Sequence, residues 1–243
     1  MSTVSDAWDY LTDPESWTGS HGMFGTNLDG SLRFQQDSII ALTLEHLYMS
    51  IAAVGIAAAL ALPLGLWLGH VRRGGGVTTV ISNTSRAMPT LALLTLFSAS
   101  AIGFGNRAVI IAAAIFAFPP ILTNTFTGMA GVDADVREAA FGQGMTRLQV
   151  ALRVELPLAV PLIAAGMRTS TTQTVATVPL AALVAGGGLG VIINTGVATQ
   201  RYGQVLAGGL LIAALCLAID QLLARAQRAV TPRPLRTGAP VAA

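Results

Sequence analysis

The chain of 243 residues has no lysine, one cysteine and only 11% charged residues. Each scarcity removes a class of function. Without lysine there is no GxxxxGK[ST] phosphate loop, so the run AGGGLG from Ala185 to Gly190 is not a nucleotide cradle of that kind and reads as a glycine-rich external turn. The lone Cys216 sits in an apolar run and has no partner for an intrachain disulfide; it reads as a small buried apolar side chain. There is no HExxH, no GxSxG and no paired carboxylate inside the apolar runs, which leaves hydrolysis within the membrane without machinery. A formal charge of +2 is too small to suggest nucleic-acid binding. No basic stretch followed by an apolar run opens the chain, so no cleaved signal peptide is expected.

What the chain has is apolar length. With 53% hydrophobic residues and a mean hydropathy of +0.64, it is an integral membrane protein. Runs long enough to cross about 30 Å of hydrocarbon predict five spans, at 47–69, 84–102, 108–129, 161–184 and 202–223. Glu45 and His46 fall at the interfacial start of the first, with no second histidine or carboxylate at metal-ligand spacing. Pro119 and Pro120 are expected to interrupt the third. The fourth is the least apolar: Arg168, the run Thr169–Thr174, Thr177 and Pro179 require a polar interior or burial against other helices. Asp220, near the end of the fifth, is expected to pair with Arg225 or the headgroups. Before the spans, residues 1–38 carry six acids with Trp8, Tyr10 and Trp17 among them, the composition of an extracytoplasmic segment resting on the membrane. Residues 226–243 form an arginine- and proline-containing tail, expected to be unstructured.

Five spans put the termini on opposite sides, and the arginines choose between them. Arg72, Arg73, Arg86, Arg137, Arg147, Arg153 and four tail arginines fall on one side; Arg33, Arg107 and Arg201 fall on the other. Ten against three makes the first side cytoplasmic and places the N-terminus outside.

One polar stretch, Asp135–Pro157, interrupts the apolar runs on the cytoplasmic side. Asp135 stands three residues before Glu138, and Thr146 three before Gln149, which predicts two short capped helices. Gly142 and Gly144 supply the turn, and Pro157 is expected to stop the second helix. Phe141, Met145 and Leu148 are suited to docking in a groove of a soluble partner.

Glu138, Ala139 and Ala140, then Gly144, then Val154, Leu156 and Pro157 resemble the EAA motif of ABC importer permeases, with valine in place of the usual isoleucine. Ser85–Leu94 (SRAMPTLALL), the AGGGLG loop, His46–Leu47 and the early WDYLTDPESWTG resemble permeases of the glycine betaine/carnitine/choline (osmoprotectant) type, and the likeness covers about residues 40–225. The resemblance implies an all-α membrane fold, a five-helix type I importer core similar to methionine permeases, spanning 39–225 with a coupling loop at 133–160. It implies that Glu138–Pro157 docks on a cytoplasmic ATPase, which binds ATP and Mg, while this chain binds no cofactor and is not an enzyme. It further implies a second permease subunit, an extracytoplasmic binding protein, and residence in the bacterial inner membrane. A low-affinity path is expected along Arg168, Thr172, Gln173 and Thr177, with Arg86 and Pro89 at the cytoplasmic end of the second span. An ABC permease for methionine, a sulfonate or a phosphonate, or a stand-alone secondary carrier, are the rival readings.

Overall fold

The computed structural model of the chain describes residues 3–19, 24–26, 32–34 and 38–231. The described residues are helical apart from turns and one short antiparallel pair, β1 (Phe24–Thr26) with β2 (Leu32–Phe34). Four helical stretches among them are long and apolar enough to cross a bilayer: Ile39–His70, Asn106–Ala130, Arg147–Val184 and Tyr202–Val230. The first, second and fourth are α3, α6 and α11. The third comprises α8 (Arg147–Val150), a π turn (Ala151–Glu155), α9 (Leu156–Thr177) and a 3-10 turn (Val178–Val184). The span expected at 84–102 is instead a broken pair, α4 (Gly75–Ala87) and α5 (Thr90–Ser98). Pro89 lies between them in extended backbone and caps α5, and a proline disfavours helical geometry in the residue before it.

The chain divides into two compact units, one of residues 1–55, 88–114 and 172–218, the other of 56–87, 115–171 and 219–243. In the first, Met49, Leu94, Val109, Val178, Ala181 and Val184 form the main apolar core. Ile39, Leu42, Leu189 and Ile192 form a second cluster, on which Tyr10 of α1 (Thr3–Thr12) packs. The N-terminal helices are therefore held in place, and Ser38 Oγ donates to the Trp17 carbonyl at 2.6 Å beyond α2 (Pro14–Thr18). The loop 186–190 is buried, not an exposed turn. Glu45 reaches it: Oε2 accepts from the Gly188 amide at 2.9 Å and Oε1 from Asn106 Nδ2 at 2.6 Å, while Asn106 Oδ1 accepts from the Gly187 amide at 2.9 Å. A Cβ at Gly187 would stand 1.7 Å from Glu45 Oε2, so the carboxylate occupies the space a side chain needs. His46, fully buried, has Nε2 2.9 Å from the Val175 carbonyl. This acid and histidine fasten the chain together within the first unit, and no group of three or more metal-ligating side chains occurs among the described residues.

In the second unit, helices meet backbone to backbone. Added Cβ atoms on Gly65 and Gly69 of α3 would approach Thr125 and Met129 Cβ of α6 to 2.8 and 2.5 Å, the close approach that small residues permit in membranes. Helix α6 runs unbroken through Pro119 and Pro120. Side chains attach to carbonyls beside the prolines: Asn124 Nδ2 donates to Pro120 O and Ser170 Oγ to Ala117 O, each at 2.8 Å. Asp220 pairs with Arg168 and not with Arg225, through two parallel hydrogen bonds of 2.7 Å. Arginine's planar fork matches a carboxylate in this way, and the pair neutralises both charges inside apolar helices. Helix α11 continues to Val230, past the expected boundary at 225; the tail beyond 231, with Arg233 and Arg236, lies outside the described residues.

Gly187→Ala is expected to cost about 1–3 kcal/mol through overpacking, seen as a lower thermal midpoint of the detergent-solubilised protein. An unchanged midpoint would show that the loop does not close on Glu45.

Candidate functional site

The polar stretch forms a helix pair in the second unit. Helix α7 (Ala134–Gly142) starts two residues earlier than the spacing predicts, because Asp133 is its N-cap and accepts from the Asp135 amide at 2.8 Å. Asp135 then falls in the first turn, where an acid faces the positive end of the helix dipole. At the other end Gly144 N donates to Phe141 O at 2.9 Å and Met145 N to Ala140 O at 3.3 Å. These are the two bonds of a Schellman cap, and Gly144 takes its left-handed position with φ +81°. Gly142 belongs to the helix, so Gly144 alone supplies the reversal. Thr146 then opens α8 with the expected reciprocal box: Thr146 Oγ1 accepts from Gln149 N at 3.3 Å and Gln149 Oε1 from Thr146 N at 2.7 Å.

Pro157 does not stop the chain's helix. A π turn over 151–155 joins α8 to α9, with the Leu156 amide bonded back to Ala151 O. Pro157 follows that turn as the second residue of α9, so the helix continues through a residue with no amide to donate. The helix pair thus runs directly into a span.

Glu155, in that π turn, is fully buried. Its Oε2 accepts from His70 Nδ1 at 2.6 Å, at the last residue of α3. Arg137 of α7 brings Nε to 2.7 Å from Oε1, off the line that a hydrogen bond prefers, so Oε1 is held by charge. Arg137 Nη2 also donates to the His70 carbonyl at 3.4 Å, and Arg72 Nη2 donates to the Val132 carbonyl just before α7. One carboxylate therefore ties together the end of α3, the helix α7 and the entry to α9. The sequence reading missed this trio. The signal was an acid inside VELP, at the entry to an apolar run.

Seen from outside, Glu138, Ala139, Gly144 and Pro157 are exposed, Val154 and Leu156 are half-buried, and Ala140 is buried. Phe141 (40%), Leu148 (67%) and Leu152 (55%) stand exposed. The side chain of Arg86 lies outside the described residues; Pro89 and Gln173 are exposed, and Thr172 and Thr177 are half-buried. Arg168 belongs to the second unit, and Pro89, Thr172, Gln173 and Thr177 to the first.

Comparison with known proteins adds identity to this geometry. Residues 61–233 match the family model described as binding-protein-dependent transport system inner membrane component. The chain is 37% identical over 192 residues to the glycine betaine/carnitine/choline transport system permease protein OpuCB of Bacillus subtilis, covering 79% of this chain and 88% of that one. To the osmoprotectant import permease protein OsmW of Salmonella typhimurium it is 32% identical, covering 82% and 94%. Its fold matches a permease chain in inward-facing structures of the MetNI methionine ABC transporter with a TM-score of 0.68 at 23% identity, covering 80% and 96%.

Replacing Glu155 by alanine leaves the Arg137 guanidinium and the His70 ring facing a buried void without their shared acceptor. The expected loss is roughly 3–5 kcal/mol, measured as a fall in thermal midpoint or membrane yield, whereas Arg153→Ala, on an exposed neighbour in the same turn, should leave both near wild type.

Proposed function

The chain belongs to the family of binding-protein-dependent transport system inner membrane components, and on that premise we propose that it carries compatible solutes of the quaternary-amine type, such as glycine betaine, choline or carnitine. It is a membrane permease subunit of an ABC importer and not itself an ATPase. The solutes for which relatives such as OpuCB and OsmW are named support the cargo.

In this reading residues 133–160 are the lever that a cytoplasmic ATPase grips. The observation that carries it is a helix pair on which Phe141 and Leu148 stand exposed while Arg137 is locked to buried Glu155. A surface prepared for a partner is thereby fastened to spans. Glu138, Ala139, Ala140 and Gly144 set the shape of the docking surface, and Val154, Leu156 and Pro157 lead it into α9. ATP and Mg are held by the partner. ATP binding draws the ATPase subunits together, their grooves carry the levers of two permease subunits inward, and the spans open outward to receive cargo from an extracytoplasmic binding protein. Hydrolysis resets the assembly. Arg86, Pro89, Arg168, Thr172, Gln173 and Thr177 border the cargo's low-affinity path. The arginine asymmetry supports an inner-membrane orientation with the N-terminus outside and the C-terminus in the cytoplasm.

Two measurements test this. ATPase activity of the purified complex should rise with a binding protein loaded with betaine, choline or carnitine, and not with methionine; stimulation by methionine alone would overturn the cargo. Gly144→Arg, which forces a side chain onto a left-handed position, should abolish uptake and ATPase association at normal membrane abundance.

A further inference from the structure

A cleft of about 530 Å³ opens in the second unit between the end of α3 and the helix pair. Its lining combines apolar side chains, Trp67, Leu68, Val71 and Phe141, with His70 and three arginines, Arg73, Arg137 and Arg147. Arg137 is neutralised by Glu155. Arg73 and Arg147 are exposed, and among the described residues no ion pair engages either of them. Two positive charges thus share the cleft with aromatic and aliphatic side chains, and among the described residues no carboxylate pairs with them.

The position of the cleft selects its occupant. Trp67 is 62% exposed in the last turn of a 32-residue apolar helix, the depth at which an indole sits among lipid headgroups. A lining that combines apolar side chains with arginines fits a molecule with acyl chains and a negatively charged head. An acidic protein loop would satisfy the arginines but leave Trp67 and Val71 without apolar cover. Free phosphate would leave the apolar side chains unused.

We propose that this cleft binds an anionic membrane lipid, its phosphodiester between Arg73 and Arg147 and its acyl chains along Trp67 and Val71. A lipid seated there touches both α3 and the helix pair, so bilayer composition acts at the same place as the ATPase's lever.

The test uses the full chain with Trp8→Phe and Trp17→Phe, which leaves Trp67 as the sole tryptophan, reconstituted in vesicles of mixed phosphatidylglycerol and phosphatidylcholine with one lipid brominated at a time. Brominated phosphatidylglycerol should quench Trp67 in preference to brominated phosphatidylcholine, by about fivefold per free arginine at low salt. The preference should vanish in Arg73→Gln/Arg147→Gln and persist in Arg73→Lys/Arg147→Lys. Equal quenching by the two lipids, or a preference that survives loss of both charges, overturns the proposal. Loss of the preference on adding inorganic phosphate, but not on adding chloride at the same ionic strength, assigns the arginines to a free anion and also overturns it. So does a double glutamine variant that loses its ATPase partner while its quenching is unchanged, because the cleft is then a protein-docking face.

Discussion

A carboxylate cannot be left bare inside an apolar structure, and Glu155 shows how much geometry that rule fixes. Fully buried, it is answered by His70 and Arg137, and those residues come from three separate parts of the chain. Charges in a low-dielectric interior persist only with close partners. The end of α3, the helix α7 and the start of α9 are therefore held to one arrangement. The helix pair is not a loop that hangs from the membrane; a force on α7 reaches α3 and α9 through a short ionic contact and a continuous helix. That makes it useful as a lever.

The first unit uses the same rule for a different end. Glu45, nearly buried, is satisfied by Asn106 and the Gly188 amide, and its carboxylate fills the place where Gly187 would otherwise carry a side chain. Here the buried acid closes a loop and has no exposed counterpart. Arg168 and Asp220 solve the problem a third way, by mutual neutralisation with part of each side chain still accessible. Of the three arrangements, only the Glu155 cluster adjoins exposed apolar side chains on a capped helix pair, which is why it supports a partner-docking reading.

Much of this was legible in the residues. The apolar runs gave the membrane class, and the Thr146–Gln149 spacing gave a capping box found as expected. The Glu138-to-Pro157 pattern gave the family. Other features escaped because they are decided by contacts distant in sequence. Asp220 reads locally as a partner of Arg225, five residues away, or of the headgroups, while the structure pairs it with Arg168, 52 positions earlier. Glu45 and His46 read as the interfacial start of a span, and their partners, 61 to 143 positions on, make them a fastening as well. Proline misled in both directions: Pro89 breaks a span expected to be whole, while Pro119, Pro120 and Pro157 sit within helices that continue. A proline's effect depends on whether neighbouring side chains or a π turn absorb the missing amide, and local sequence does not show that.

If the helix pair couples ATP hydrolysis to transport, the ATPase must engage it directly. A photoreactive amino acid at Leu148, the most exposed apolar position of the pair at 67%, tests that directly when incorporated into a transport-competent complex and irradiated. The account predicts a crosslink to the ATPase subunit from Leu148 and none from Leu217, an equally exposed position on α11 at 65%. A complex that still imports solute, yet gives no ATPase crosslink at Leu148, would contradict it.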